Sequence, residues 1–144
     1  MAINQSGMNR QRVLILCTGN SARSQMAEGL LRADGGERFD VHSAGTHPGV
    51  VRPEAIAVMR EIGIDISGHR SKSVHEFLGQ PFDLVMTVCD RANESCPVFP
   101  QQTRRLHWSF EDPAAVEGDE AVRLQAFRRI RDEIRQKLRE WLAE

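Results

Sequence analysis

One short stretch constrains the fold more than any other: a continuous apolar run that stops at a cysteine and passes through a small polar loop into an amphipathic segment. The run is Val13-Leu14-Ile15-Leu16. It has no polar alternation, which fits a strand buried on both faces, as in a parallel sheet covered by helices. Cys17 to Arg23 is small and polar and reads as a loop. Ser24 is placed to cap a helix running to about Ala33, with Met26, Ala27, Leu30 and Leu31 on its apolar face and Gly35-Gly36 ending it.

The same pattern repeats downstream. A second strand is expected from Phe39 to Ala44, followed by a turn region from Gly45 to Pro53. Ile56, Val58, Met59 and Ile62 support a helix from Pro53 that ends at Gly63. Phe82 to Val88 reads as a third buried strand and Leu106 to Trp108 as a short fourth. Phe127, Ile130, Ile134, Leu138 and Trp141 form one helical stripe on a last helix from about Asp119 to Trp141. Arg128, Arg135 and Arg139 lie opposite that stripe among acidic residues and are expected to be a solvated face. Alternating strands and helices predict an α/β three-layer sandwich around a parallel sheet. Ligands of such sheets bind beyond the carboxyl ends of the strands. Cys17, Cys89 and Asp112-Pro113 fall at those ends.

The chain has 144 residues, enough for one domain, expected over residues 13–144 behind a polar tail at residues 1–12. A net charge of −1 argues against a nucleic-acid or anionic-membrane partner. No apolar run approaches the ~20 residues of a membrane span, and the first residues lack a signal-peptide core. The three cysteines do not make a disulfide framework. Together these features predict a cytoplasmic protein with reduced, chemically active thiols.

Cys17-Thr18-Gly19-Asn20-Ser21-Ala22-Arg23-Ser24 is expected to cradle an oxyanion. A tight loop entering a helix aims backbone N–H groups inward, and the helix N-terminus adds positive potential. Arg23 offers a fork that matches two oxygens of a tetrahedral anion. Such surroundings lower a cysteine pKa from about 8.5 to roughly 3.5–7.5, so Cys17 is expected to be a thiolate nucleophile. A Ser24 hydroxyl hydrogen bond to the sulfur is also expected. The loop lacks the Gly-Lys-Ser/Thr of a nucleotide-binding loop.

This arrangement resembles the low-molecular-weight protein tyrosine phosphatase superfamily, with its Cys-x5-Arg-Ser/Thr loop after the first strand. The resemblance runs from Val13 to the last helix and is strongest with the arsenate reductase branch. The segments that carry it are CTGNSARSQMAEG (17–29), SAG (43–45), DLVMTVCDRANESCP (83–97) and HWSFEDPA (107–114). It implies a four-stranded sheet of order 2-1-3-4, with Asp112 as general acid. It also implies a relay of Cys17, Cys89 and Cys96 that serves arsenic detoxification, with weak phosphatase activity a possible accompaniment.

The residues allow that chemistry to be written out. A loop thiolate attacking a tetrahedral oxyanion gives a covalent adduct, with Asp112 protonating the departing oxygen. With phosphate, water completes a phosphatase cycle. With arsenate, Cys89 attacks the Cys17 sulfur, two electrons pass to arsenic and arsenite leaves. Cys96 then takes over the disulfide as Cys89–Cys96. Seven helical residues span about 10.5 Å, and a disulfide needs Cα atoms within about 6.8 Å, so a helical 89–96 segment must unwind on oxidation. Thioredoxin is the expected reductant, with phosphate or sulfate as analogues of arsenate. A phosphomonoesterase and a non-catalytic thiol-redox sensor are the competing readings.

Departures from the family narrow the substrate. Ala22 stands where phosphatases often carry a second loop cysteine. No tyrosine occurs anywhere, and Ala114-Ala115 follow Asp112-Pro113, which disfavours a phosphotyrosine ring. A zinc site of the three cysteines with His69 or His107 is disfavoured, because Cys-x6-Cys is not the usual spacing. His47 lies in a loop that could border the pocket. Some arsenate reductases of the branch bind potassium beside the loop. Asn20, Glu28 and Ser43 match those ligands, but Lys72 replaces a further acidic one. No metal or other cofactor is therefore expected.

Overall fold

The computed structural model describes residues 10–100 and 102–144. Of the expected N-terminal tail, residues 1–9 lie outside the described residues. Four strands form one parallel sheet: β1 Gln11–Cys17, β2 Phe39–Gly45, β3 Leu84–Thr87 and β4 Arg104–His107, in the order β2-β1-β3-β4. The expected sheet and order are the observed ones. β1 begins two residues before its apolar run, because Arg12 is anchored at the sheet's base. Its backbone N–H donates to Asp83 and its guanidinium reaches Asp40, Gln80 and the Pro81 carbonyl. β3 is shorter than expected, and β4 sits earlier, at Arg104–His107 rather than Leu106–Trp108.

Helices cover both faces: α1 Arg23–Gly35, α2 Pro53–Glu61, α3 Asp90–Glu94 and α4 Glu120–Leu142. Val13 to Leu16 and Leu84 to Met86 are fully buried, as a strand covered on both faces requires. Phe127, Ile130, Ile134 and Leu138 of the α4 stripe are also fully buried, and Trp141 packs on Phe39 and Trp108. α2 ends at Glu61, two residues before the expected Gly63, whose φ of +80° closes the turn.

Two local expectations are corrected. Ser24 does not cap α1. The cap position is Ala22, and Ser24 lies inside the first turn, fully buried. The arginines of α4 are only in part a solvated face: Arg139 is exposed, whereas Arg128 and Arg135 are half-buried. Arg135 and Arg139 grip Asp34 of α1, and Arg128 grips Glu61 of α2. Arg131, itself buried, bonds the Val58 carbonyl and Glu61. Alternating charge along α4 therefore docks the helix against its neighbours.

The Asp34 carboxylate shows the strength of this docking. Arg135 meets it in a two-pronged contact at 2.8 and 3.0 Å, and only 11 % of its side chain is exposed. The Arg135 hydrogen bond, before the opposing effect of burial, holds its pKa below the ordinary carboxylate value. A depressed carboxyl pKa contributes stability above its unfolded value and loses it as pH falls through the folded value. Asp34→Asn is expected to cost about 1–3 kcal/mol at pH 7 in urea unfolding, with the deficit shrinking in acid. Equal stability of the two proteins at pH 7 would contradict this.

Candidate active site

The strand order reverses between β1 and β3, and these two strands pair in parallel, so both deliver their carboxyl ends to one edge. Cys17 is the last residue of β1 and Cys89 lies two residues past β3. Val88 N–H donates to the Leu16 carbonyl at 2.9 Å, which keeps the strands in register to that edge. The Cys89 sulfur then lies 3.4 Å from the Thr18 hydroxyl. Both sulfurs are buried, and Cys96 is half-buried beyond α3.

The loop from Cys17 to Ser24 wraps the Cys17 sulfur. Asn20 N–H donates to it at 3.2 Å, and Ser24 Oγ lies 2.8 Å away. Asn20 Nδ2 donates to that Ser24 oxygen at 2.8 Å, which leaves the serine's own proton free to turn to the sulfur. Asn20 holds the loop's tight turn with a φ of +48°, a conformation that asparagine tolerates better than most residues.

Much of the loop's support had no sequence signal. The segment after β2 runs alongside it: Thr46, His47, Gly49 and Arg52 N–H groups donate to the carbonyls of Cys17, Thr18, Gly19 and Ser21. His47 thus borders the loop through its backbone, with its side chain exposed. The Ser71 hydroxyl donates to the Gly19 carbonyl, and Gln25 donates to Asn20. Gly45 is required where the two segments touch. A Cβ there would meet the Thr18 carbonyl oxygen at 2.6 Å and the Asn20 nitrogen at 2.9 Å.

Arg23 and Asp112 are brought together. Arg23 Nη1 donates to the Phe110 carbonyl at 2.9 Å, and Nη2 lies 3.9 Å from Asp112 Oδ2. Asp112 is exposed, and its other oxygen accepts from Ala114 N–H at 3.0 Å, so it also starts the turn Pro113–Ala115. The expected lowering of the Cys17 pKa is corrected here. Burial is the largest influence and pushes the thiol up. The Ser24 hydroxyl and backbone amide oppose it, Cys89 adds to it, and Arg23 gives the smallest opposition.

Beneath the loop, Glu28 is buried among cations. Ser43 donates its hydroxyl to Glu28 Oε1, and Arg32 lies 2.6 Å from Oε2. Lys72 Nζ stands 3.9 Å from Oε1 and donates to the Arg70 carbonyl at 3.0 Å. His69 packs here too, bonded to Gln25, while His107 bonds Asp90 and Thr87. Both histidines therefore have partners within the chain.

The profile of the low-molecular-weight phosphotyrosine protein phosphatase family matches residues 12–144. The chain belongs to that family. An arsenate reductase of Halalkalibacterium halodurans is 46 % identical over 132 residues, covering 92 % of this chain and 95 % of the relative. A solved arsenate reductase in a phosphate-binding state superposes with a TM-score of 0.74 at 33 % identity, covering 92 % of this chain and 97 % of that one. A thioredoxin-dependent arsenate reductase of Corynebacterium glutamicum superposes with a TM-score of 0.70 at 26 % identity, covering 99 % of this chain and 68 % of that one. No helix among the described residues is long and apolar enough to cross a membrane.

The Ser24 contact yields a direct test. Ser24→Ala removes the strongest influence opposing burial, so the midpoint of Cys17 alkylation by iodoacetamide should move to higher pH. At pH 7 the variant should react roughly tenfold more slowly, on the scale of one lost charge-assisted hydrogen bond. An unchanged pH profile in a folded variant would show that Ser24 does not tune the sulfur.

Proposed function

We propose that this chain is an arsenate reductase working by a three-cysteine relay with thioredoxin as the final reductant. The observation that carries the proposal is the sharing of one strand edge by two buried thiols, with Cys89 on the Thr18 hydroxyl of the loop that wraps Cys17. The arsenate reductases among its relatives, one of them thioredoxin-dependent, support the same reading.

The chemistry follows from the residues. Thr18 to Ser24 and the Arg23 fork hold arsenate, with Arg23 turning from the Phe110 carbonyl to the oxyanion. The Cys17 sulfur, held by Asn20 N–H and Ser24 Oγ, attacks arsenic and the S–As bond forms. Asp112 delivers the proton that lets one oxygen leave as water. Cys89 then attacks the Cys17 sulfur, the S–As electron pair reduces arsenic(V) to arsenic(III), and arsenite departs. Cys96 attacks the Cys89 sulfur of the Cys17–Cys89 disulfide, releasing Cys17 and leaving Cys89–Cys96. Thioredoxin supplies the two electrons that reopen it.

The Cys89→Ser variant separates this reading from a phosphatase with incidental thiols. It should abolish arsenate-dependent NADPH oxidation through thioredoxin and thioredoxin reductase, yet leave para-nitrophenyl phosphate hydrolysis, where present, within about twofold of wild type. Retained arsenate turnover in the variant would exclude the relay.

The residues around Glu28 do not fit a bound potassium ion. A guanidinium and an ammonium already face that carboxylate, and a further cation would meet like charge. Burial, ahead of the opposing Glu28 charge, lowers the Lys72 pKa. Replacing sodium by potassium at constant ionic strength should leave kcat/KM and Tm unchanged. A clear rise in either would overturn this.

A further inference from the structure

The segment between Cys89 and Cys96 is held by a contact that none of the chemistry above uses. Cys89 is extended at the cap position of α3, Asp90 opens the helix, Ser95 closes it, and Cys96 lies beyond. Asp90 Oδ1 lies 2.8 Å from Nε2 of His107, the last residue of β4. The other ring nitrogen, Nδ1, lies 2.7 Å from the hydroxyl of Thr87, the last residue of β3, which is 1 % exposed. The imidazole is thus fixed at both nitrogens, and its outer one faces the first residue of α3. The His107 hydrogen bond, followed by one from Ser109, holds the Asp90 carboxyl below its ordinary pKa.

Helix and disulfide exclude each other here. Five helical residues advance about 7.5 Å by themselves, whereas a disulfide requires Cα atoms within about 6.8 Å. Closing Cys89–Cys96 therefore unwinds α3, and unwinding displaces Asp90 from the end of the sheet. Neither Asp90 nor His107 hydrogen-bonds the Cys17 loop.

We propose that His107, seated on Thr87, and Asp90 form a latch that keeps the reduced redox segment helical, and that the closed latch slows passage of the disulfide from Cys17–Cys89 to Cys89–Cys96. The proposal rests on the three-cysteine reading. It assigns His107 and Asp90 as positioning residues for the third thiol's attack alone. The step is a plain thiol–disulfide exchange: the Cys96–Cys89 bond forms, the Cys17–Cys89 bond breaks, and the Cys96 proton is balanced by one taken up on Cys17.

The test combines two measurements on the full chain, for wild type, Asp90→Asn, His107→Gln and the double variant. In the first, reduced protein meets excess arsenate without a reductant, is quenched with alkylating agent, and its disulfides are mapped by mass spectrometry over time. Each single variant should release arsenite at the wild-type rate yet convert Cys17–Cys89 to Cys89–Cys96 about threefold faster, the scale of a largely exposed pair. The double variant should be no faster than either single one. General destabilisation would not accelerate one step while sparing another. In the second, hydrogen exchange over residues 90–95 of the reduced chain should rise by a similar factor in each variant. Unchanged exchange or unchanged conversion overturns the latch. A wild-type chain that never forms Cys89–Cys96 overturns the relay beneath it. The exchange measurement tells that outcome apart from a latch that is not there.

Discussion

Asn20 is fully buried, stands at a left-handed φ, and uses every polar group of its side chain. Its Nδ2 donates to Ser24 and Ser43, and its Oδ1 accepts from Lys72 N–H and Gln25. Three segments of the chain therefore converge on one amide, the start of α1, β2 and the loop at Lys72. The consequences run outward in two directions. Through Ser24 the network reaches the Cys17 sulfur, and through Ser43 it reaches Glu28 and its cations. A buried amide with any of these bonds unmade costs about 1–3 kcal/mol per unpaired group, so the loop has one low-energy arrangement. Preorganisation of the loop around Cys17 is a property of that network before it is a property of the loop's own backbone.

The sheet explains why two thiols share one edge although 71 residues separate Cys89 from its loop partner Thr18. β1 and β3 are neighbours in register, and both end at the same edge. The third thiol is placed differently. Cys96 lies past a helix of five residues on a segment whose inner anchors are few: Ala92 is buried, while Asp90, Arg91, Asn93, Glu94 and Ser95 are exposed. Two thiols stand on rigid strand ends and one on an element that can unfold locally. That division suits a chemistry in which the first bond must form with accuracy and the last must reach a partner.

The parts of this arrangement legible in the sequence were those governed by local rules. Uninterrupted apolar runs placed β1 and β3, one stripe placed α4, and a small polar loop between strand and helix placed the cradle. What escaped depended on partners distant in sequence. Ser24 looks like a cap because serine before an apolar helix usually is one, but it lies inside the first turn, where its hydroxyl makes the expected contact with Cys17. The arginines of α4 look solvated because acids alternate with them, yet their partners Asp34 and Glu61 come from other helices. The Cys17 pKa ran against expectation because burial outweighs the loop's donors while Arg23 bonds Phe110. The backbone of 45–52 braces the loop through carbonyls and amides that no side-chain pattern announces.

The central claim is that arsenate is reduced by electrons from this chain's own thiols. Thiol titration with a chromogenic disulfide, paired with arsenite quantification after reaction with arsenate in the absence of any reductant, tests it most directly. One arsenite per chain, with two of the three thiols lost and Cys17 the one that remains, is the expected result. Arsenite formed without loss of thiols, or an arsenate-treated chain that keeps all three thiols and yields no arsenite, would contradict it.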